Sequence, residues 1–247
     1  MGPVRAVTRL VLLIAVYCLF GLIGLLIHLL FFYSEPLRSR SILFFTRAWA
    51  RCSCFCFNIR VRVIGNTDIL QGSLVISNHV GSPDIFIMGS RFPAYFVSKA
   101  EIAEWPLFNW LARLGATLFV DRSRRHQVKL TVEQISRRLL SGSSVILFPE
   151  GRASDGTGML PFKTSHFEAA VLARCPVVPV VIKYHDAGTP SVACWWDKNF
   201  VQHIWALLEN PRLEATAVIL PMVSGETDRR SLAEKCFNLI QEKRRSL

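Results

Sequence analysis

The chain has 247 residues, 51% of them hydrophobic, and its 29 Lys and Arg against 18 Asp and Glu leave a formal net charge of +11. That length suits one sizeable core with a small appendage, and the mean hydropathy of +0.33 is high for a soluble protein. A basic, apolar chain points to an anionic membrane surface or a phosphate-bearing substrate; with no zinc-finger spacing, RNA-binding signature or long Lys/Arg tract, no nucleic-acid partner is expected.

The first predicted element runs from Leu10 to Tyr33, with His28 its only strongly polar member. As a helix it spans about 36 Å, against a hydrocarbon core of about 30 Å. It is too long for a signal-peptide core, and no small-residue cleavage pattern follows it. Arg5 and Arg9 precede it, and Arg38, Arg40, Arg47, Arg51, Arg60 and Arg62 follow, with Glu35 the only acid between Tyr33 and Arg62. The positive-inside bias then places everything after Tyr33 in the cytoplasm, on the inner membrane if the source is bacterial. The other arrangement is a hairpin that dips into one leaflet, with residues 40–57 as an Arg-bearing interfacial helix. Residues 1–57 are therefore read as a membrane anchor and residues 58–247 as the main domain. The Cys52-Ser53-Cys54-Phe55-Cys56 cluster has neither C-x2-C spacing nor a nearby His, and seven Cys is an odd count. Reduced thiols are expected, with no metal site and no disulfide framework.

From residue 60 onward short apolar runs predict strands at 60–64, 73–77, 95–98, 116–120, 144–148, 177–182 and 214–220. Helices are predicted at 127–140, with Val128, Val132, Ile135 and Leu139 on one face and Gly142 past the end, and at 229–245, with Leu232, Cys236, Leu239 and Ile240 on one face. The fold class is α/β: a mostly parallel sheet flanked by helices, preceded by a membrane-anchoring helical segment. In such folds sites gather at the carboxyl ends of strands.

Three strand ends carry polar chemistry. Leu74-Val75-Ile76 leads into Ser77-Asn78-His79-Val80-Gly81-Ser82-Pro83-Asp84, where Ser82 and Pro83 suit a helix start. His79 and Asp84 form either a general-base pair or part of a capped loop. The strand at 116–120 ends in Asp121-Arg122, a surface ion pair or an arginine held to grip an anion. Val145-Ile146-Leu147-Phe148 ends in Pro149-Glu150-Gly151-Arg152-Ala153-Ser154, a defined turn with charge on both sides of Gly151.

Together these stretches resemble the lysophospholipid acyltransferase family, specifically the PlsC-like 1-acylglycerol-3-phosphate acyltransferases, over roughly residues 60–185. Asn78-His79-Val80-Gly81-Ser82-Pro83-Asp84 matches the family's N-H-x4-D, and Gly115 to Arg122 its G-x-x-F-x-x-R with one extra residue. Phe148 to Ser154 matches F-P-E-G-T-R-S, Val177-Val178-Pro179-Val180-Val181 an apolar stretch around a proline, and Pro161-Phe162-Lys163 a P-F-K segment. The resemblance implies that His79 takes the proton from a lysolipid hydroxyl, which attacks the thioester of acyl-CoA or acyl carrier protein, and that Asp84 holds the imidazole. It implies that Arg122 and Arg152 hold the acceptor phosphate, that Glu150 and Gly151 shape the acceptor site, and that no cofactor or metal is needed. Backbone N–H groups at Ser82–Asp84 are expected to meet the oxyanion. The expected product is phosphatidic acid. Two departures keep other acceptors open. The third motif lacks its Thr, which moves Arg152 one position closer to Glu150, and Thr164 and Ser165 replace the usual Lys and Gly after Lys163. The alternatives are another lysolipid, such as lyso-ornithine lipid, or a non-catalytic lipid-binding protein.

Overall fold

A computed structural model describes residues 2–67, 72–101, 108–121, 124–186, 188, 190–196 and 198–247. Each predicted apolar run forms a strand: β1 (Ile59–Ile64), β2 (Leu74–Ser77), β3 (Ala94–Lys99), β4 (Leu118–Val120), β5 (Ser144–Leu147), β6 (Val177–Tyr184) and β7 (Leu213–Ile219). They make one sheet in the order β1-β7-β6-β2-β5-β3-β4. All pairs are parallel except β6 with β7. Central strands of a sheet covered on both faces are apolar at every position, and β2 and β5 are buried at all four of theirs.

Alternate side chains go to opposite faces. Val75, Ile146 and Val178 join the core on one side, against α3 (Ser82–Arg91), α7 (Phe200–Glu209) and the N-terminal helices. Leu74, Ile76, Val145 and Leu147 join the other, against α5 (Arg125–Leu140), α6 (Glu168–Ala173) and α8 (Arg229–Arg245). The remaining short helix, α4 (Phe108–Leu114), lies beside the first helix.

The N-terminal segment is a pair of helices, α1 (Gly2–Leu30) and α2 (Glu35–Cys56). Helix α1 starts eight residues before the predicted Leu10, because Arg5 and Arg9 lie within it rather than flanking it. Arg5 donates to the Glu209 carbonyl, and Arg9 to those of Leu208, Asn210 and Pro211 at 2.5–3.1 Å. These carbonyls close the C-terminus of α7, where guanidinium groups are favoured. At the other end His28 Nε2 bonds the Leu114 carbonyl at 3.2 Å, and Ile27 packs with Ile42 and Tyr95. Both ends of α1 are thus tied to the same domain. Arg47 and Arg51 of α2 also turn inward, both donating to the Ser90 carbonyl at the end of α3. Helix α1 is the one described helix long and apolar enough to cross a membrane, with a mean hydropathy of 3.0 over its most apolar 18-residue window. Val11, Leu19, Leu22, Leu26 and Leu30 on its outer face are exposed.

Candidate active site

The carboxyl ends of β2, β5 and β6 converge on His79. Asn78 fixes the loop that bears it: its side-chain carbonyl accepts from Ile182 N at 2.8 Å while its amide donates to Ile182 O at 3.0 Å, extending the β2–β6 ladder by one side chain. The His79 main chain is then clamped by the 148–154 turn. Its N–H donates to Glu150 Oε1 at 2.7 Å, and its carbonyl accepts from Ser154 N at 2.8 Å. Its ring stacks on Phe148 with centroids 4.3 Å apart.

His79 Nδ1 lies 2.8 Å from Asp84 Oδ2. A carboxylate only accepts, so Nδ1 carries the proton and Nε2 is left as a base. The His79 side chain is 16% exposed and that of Asp84 0%. Asp84 Oδ2 also accepts from Val80 N at 2.6 Å and Gly81 N at 3.0 Å, and Oδ1 accepts from Tyr184 Oη at 2.5 Å. Four donors on its two oxygens hold this buried carboxylate in one orientation. The N–H groups expected at an oxyanion are otherwise engaged. That of Ser82 points at His203 Nε2, that of Asp84 bonds the Gly81 carbonyl, and Pro83 has none; the neighbouring N–H groups of Val80 and Gly81 serve Asp84.

The 193–196 loop closes over this helix start. Trp195 N donates to Val80 O at 3.0 Å, and a Cβ at Gly81 would lie 2.0 Å from the Ala193 carbonyl, so no side chain fits there. His203 of α7 stacks on Trp195 and takes the Ser82 hydroxyl on Nε2 at 2.8 Å. Burial, with Lys198 nearby, pulls His203 down to about 4, so it is a neutral acceptor.

His79 opens onto a cavity of about 640 Å³ that runs between the sheet and the α1–α2 pair. Its walls are mostly apolar, with Phe20, Ile27, Phe45, Trp49, Phe96 and Leu111 among them. Lys99 and Arg152 put two positive charges on the lining. Arg152 lies over the Trp196 ring at 5.3 Å, and Gly151, with φ +80°, makes the left-handed turn that brings it there. Arg122 lies outside the described residues, and Asp121 pairs with Arg124 at 3.3 Å on the surface. Glu150 does not line the cavity. It is 2% exposed, and its second oxygen accepts from Leu160 N at 2.8 Å.

A family profile described as Acyltransferase matches residues 60–183, half of the chain and the part that carries all of this geometry. The chain belongs to the acyltransferase family. Among relatives of this acyltransferase is the "Lyso-ornithine lipid O-acyltransferase" of Rhizobium meliloti, 38% identical over 68% of this chain and 63% of that protein, so the match spans under two thirds of that relative. The "1-acyl-sn-glycerol-3-phosphate acyltransferase" of Neisseria gonorrhoeae is 31% identical over 67% of this chain and 66% of that protein. The acyltransferase also shares its fold with the 1-acyl-sn-glycerophosphate acyltransferase PlsC of Thermotoga maritima, with a TM-score of 0.73 at 19% identity, covering 100% of this chain and 97% of that one.

Sequence reasoning on the acyltransferase placed His79 and Asp84 together but missed Tyr184, Trp195 and His203. Tyr184 lies two residues past the predicted strand 177–182, and only the longer β6 makes it a strand end. Glu150, expected to shape the acceptor site, tethers the His79 loop to residue 160. Burial pushes its carboxyl up to about 7, against the pull of its two N–H donors. The unfolded chain loses this proton near its ordinary value of 4.5. The stability it contributes is therefore full below that value and is lost as pH rises through about 7. Glu150→Gln sets an amide NH2 against one of two backbone N–H groups, and is expected to cost about 1–3 kcal/mol. In thermal melts the gap between wild type and variant should narrow as pH rises through that window.

Proposed function

We propose that this acyltransferase esterifies the free hydroxyl of a lysolipid at the membrane surface with an acyl group from acyl-CoA or acyl carrier protein, and that the lysolipid is lyso-ornithine lipid. The observation that carries the reaction is the His79 Nδ1–Asp84 Oδ2 contact of 2.8 Å, with His79 on the lining of a mostly apolar cavity of about 640 Å³. His79 Nε2 takes the hydroxyl proton as the oxygen attacks the thioester carbonyl. The tetrahedral intermediate collapses, the C–S bond breaks, and the thiolate leaves with the proton from His79. Asp84 stabilises the imidazolium between these steps. The hydroxyl belongs to the acceptor, so no side chain of the protein is acylated.

The α1–α2 hairpin, with its exposed apolar face, is read as the element that seats the cavity in one leaflet, where the acceptor and product reside. The net charge of +11 favours the phosphates of coenzyme A or an acidic carrier protein. The lyso-ornithine acceptor is supported by the Rhizobium relative and by the third motif, where Arg152 departs from the family spacing. A carboxylate headgroup needs one strong cation, and Arg152 supplies it. The second reading, 1-acylglycerol-3-phosphate as acceptor and phosphatidic acid as product, is favoured by Lys99 and Arg152 together, a pair that suits a phosphate, with Arg122 as a further expected contact.

An acceptor panel with one radiolabelled acyl thioester separates the two. The expected result is a higher kcat/KM for lyso-ornithine lipid than for 1-acylglycerol-3-phosphate; the reverse order moves the assignment to the second reading.

A further inference from the structure

We propose that Tyr184 is a positioning residue for the reaction, acting through Asp84. The inference rests on reading His79 and Asp84 as the catalytic pair. Tyr184 is the last residue of β6, next to β2 in the sheet, and the strand alternation aims its ring at the loop that follows β2. Its hydroxyl lies 2.5 Å from Asp84 Oδ1, the oxygen that faces away from His79. The three other donors to this carboxylate, His79 Nδ1, Val80 N and Gly81 N, all bond Oδ2. Tyr184 is thus the one side chain recorded at Oδ1 among the described residues.

That asymmetry has a mechanical meaning. Three bonds to one oxygen fix where it sits but leave the carboxylate free to pivot about it. A bond to the other oxygen sets the plane, and so aims the Oδ2 lone pair at Nδ1. Burial and the Asp84 charge push the phenol well above its ordinary 10, so Tyr184 keeps its proton and remains a donor at every working pH. When His79 becomes imidazolium, Asp84 must be both ionised and coplanar with the ring. Without Tyr184 a buried oxygen loses its partner, and the carboxylate is free to turn away from the ring.

The test is Tyr184→Phe, which keeps the ring and deletes one oxygen. Loss of a hydrogen bond to a charged acceptor is expected to lower kcat about 10- to 100-fold, with KM for acceptor and acyl donor each within about twofold. A merely structural tyrosine would lower the melting temperature and leave kcat per folded molecule unchanged. A second arm places Tyr184→Phe in the Asp84→Ala background. If Tyr184 acts through Asp84, the residual rate does not fall further. Should Tyr184→Phe fail to fold, 3-fluorotyrosine at position 184 keeps shape and hydroxyl while making the phenol a stronger donor, which draws charge from the carboxylate and lowers kcat at fixed KM.

The assignment is overturned by a wild-type kcat in Tyr184→Phe, by a loss confined to KM, by an undiminished effect in the Asp84→Ala background, or by an unchanged kcat with 3-fluorotyrosine. If Tyr184→Phe is fully active while His79→Ala is dead, only the Tyr184 role falls. If His79→Ala is itself active, the reading of the catalytic pair falls with it.

Discussion

His79→Ala is expected to lower kcat by at least about 100-fold, the low end for removal of a general base, while the protein stays folded. The expectation follows from where the side chain stands. Its main chain is held by Glu150 and Ser154 through its own N–H and carbonyl, so truncation of the ring leaves those bonds in place. What disappears is Nε2, the nitrogen proposed as the general base. The ring's stack on Phe148 is also lost, and a modest fall in melting temperature is expected from it. Product formation from labelled acyl thioester, normalised to folded protein, checks this. A kcat near wild type would remove His79 from the mechanism.

Asp84→Asn is expected to lower kcat by about 100-fold or more with little cost in stability. The network accommodates the amide. Its carbonyl oxygen can take the place of Oδ2 and accept from His79 Nδ1, Val80 N and Gly81 N, while the NH2 faces Tyr184, whose hydroxyl can accept as readily as donate. The shape is kept and the negative charge is lost, so the imidazolium is left without its counter-ion. The melting temperature should move by less than about 4 °C. The contrast with Glu150→Gln is informative, because there both carboxylate oxygens face backbone N–H groups that cannot reverse. One isosteric change costs charge, the other costs a hydrogen bond, and activity and stability measured side by side should separate them.

The sheet was legible in the sequence because its strands are short apolar runs punctuated by polar turns, a local signal. The start of α1 was not. Arg5 and Arg9 break the apolar run, and only the α7 carbonyls about 200 residues away make them acceptable inside a helix that lies along the domain. The His79–Asp84 pair was legible because the two partners are five residues apart, on the loop after β2 and in the first turn of α3. The tether through Glu150 was not legible because its partners, the N–H groups of His79 and Leu160, are ordinary backbone that no residue type announces. Tyr184 and His203 reach the same loop from 100 and 121 residues away, across the sheet and from α7. The oxyanion expectation rested on N–H groups at a helix start, and those of Ser82 and Asp84 already face a His203 nitrogen and the Gly81 carbonyl.

The most direct test of acyl transfer to a lysolipid hydroxyl is thiol release from an acyl thioester, with mass analysis of the lipid product, in the presence and absence of acceptor. Purified protein is expected to release thiol only when the lysolipid is present, one thiol for each ester formed, and to lose that release in His79→Ala. Release at the same rate without acceptor would make the protein a thioesterase, and absence of release with every lysolipid offered, from acyl-CoA and acyl carrier protein alike, would contradict acyl transfer altogether.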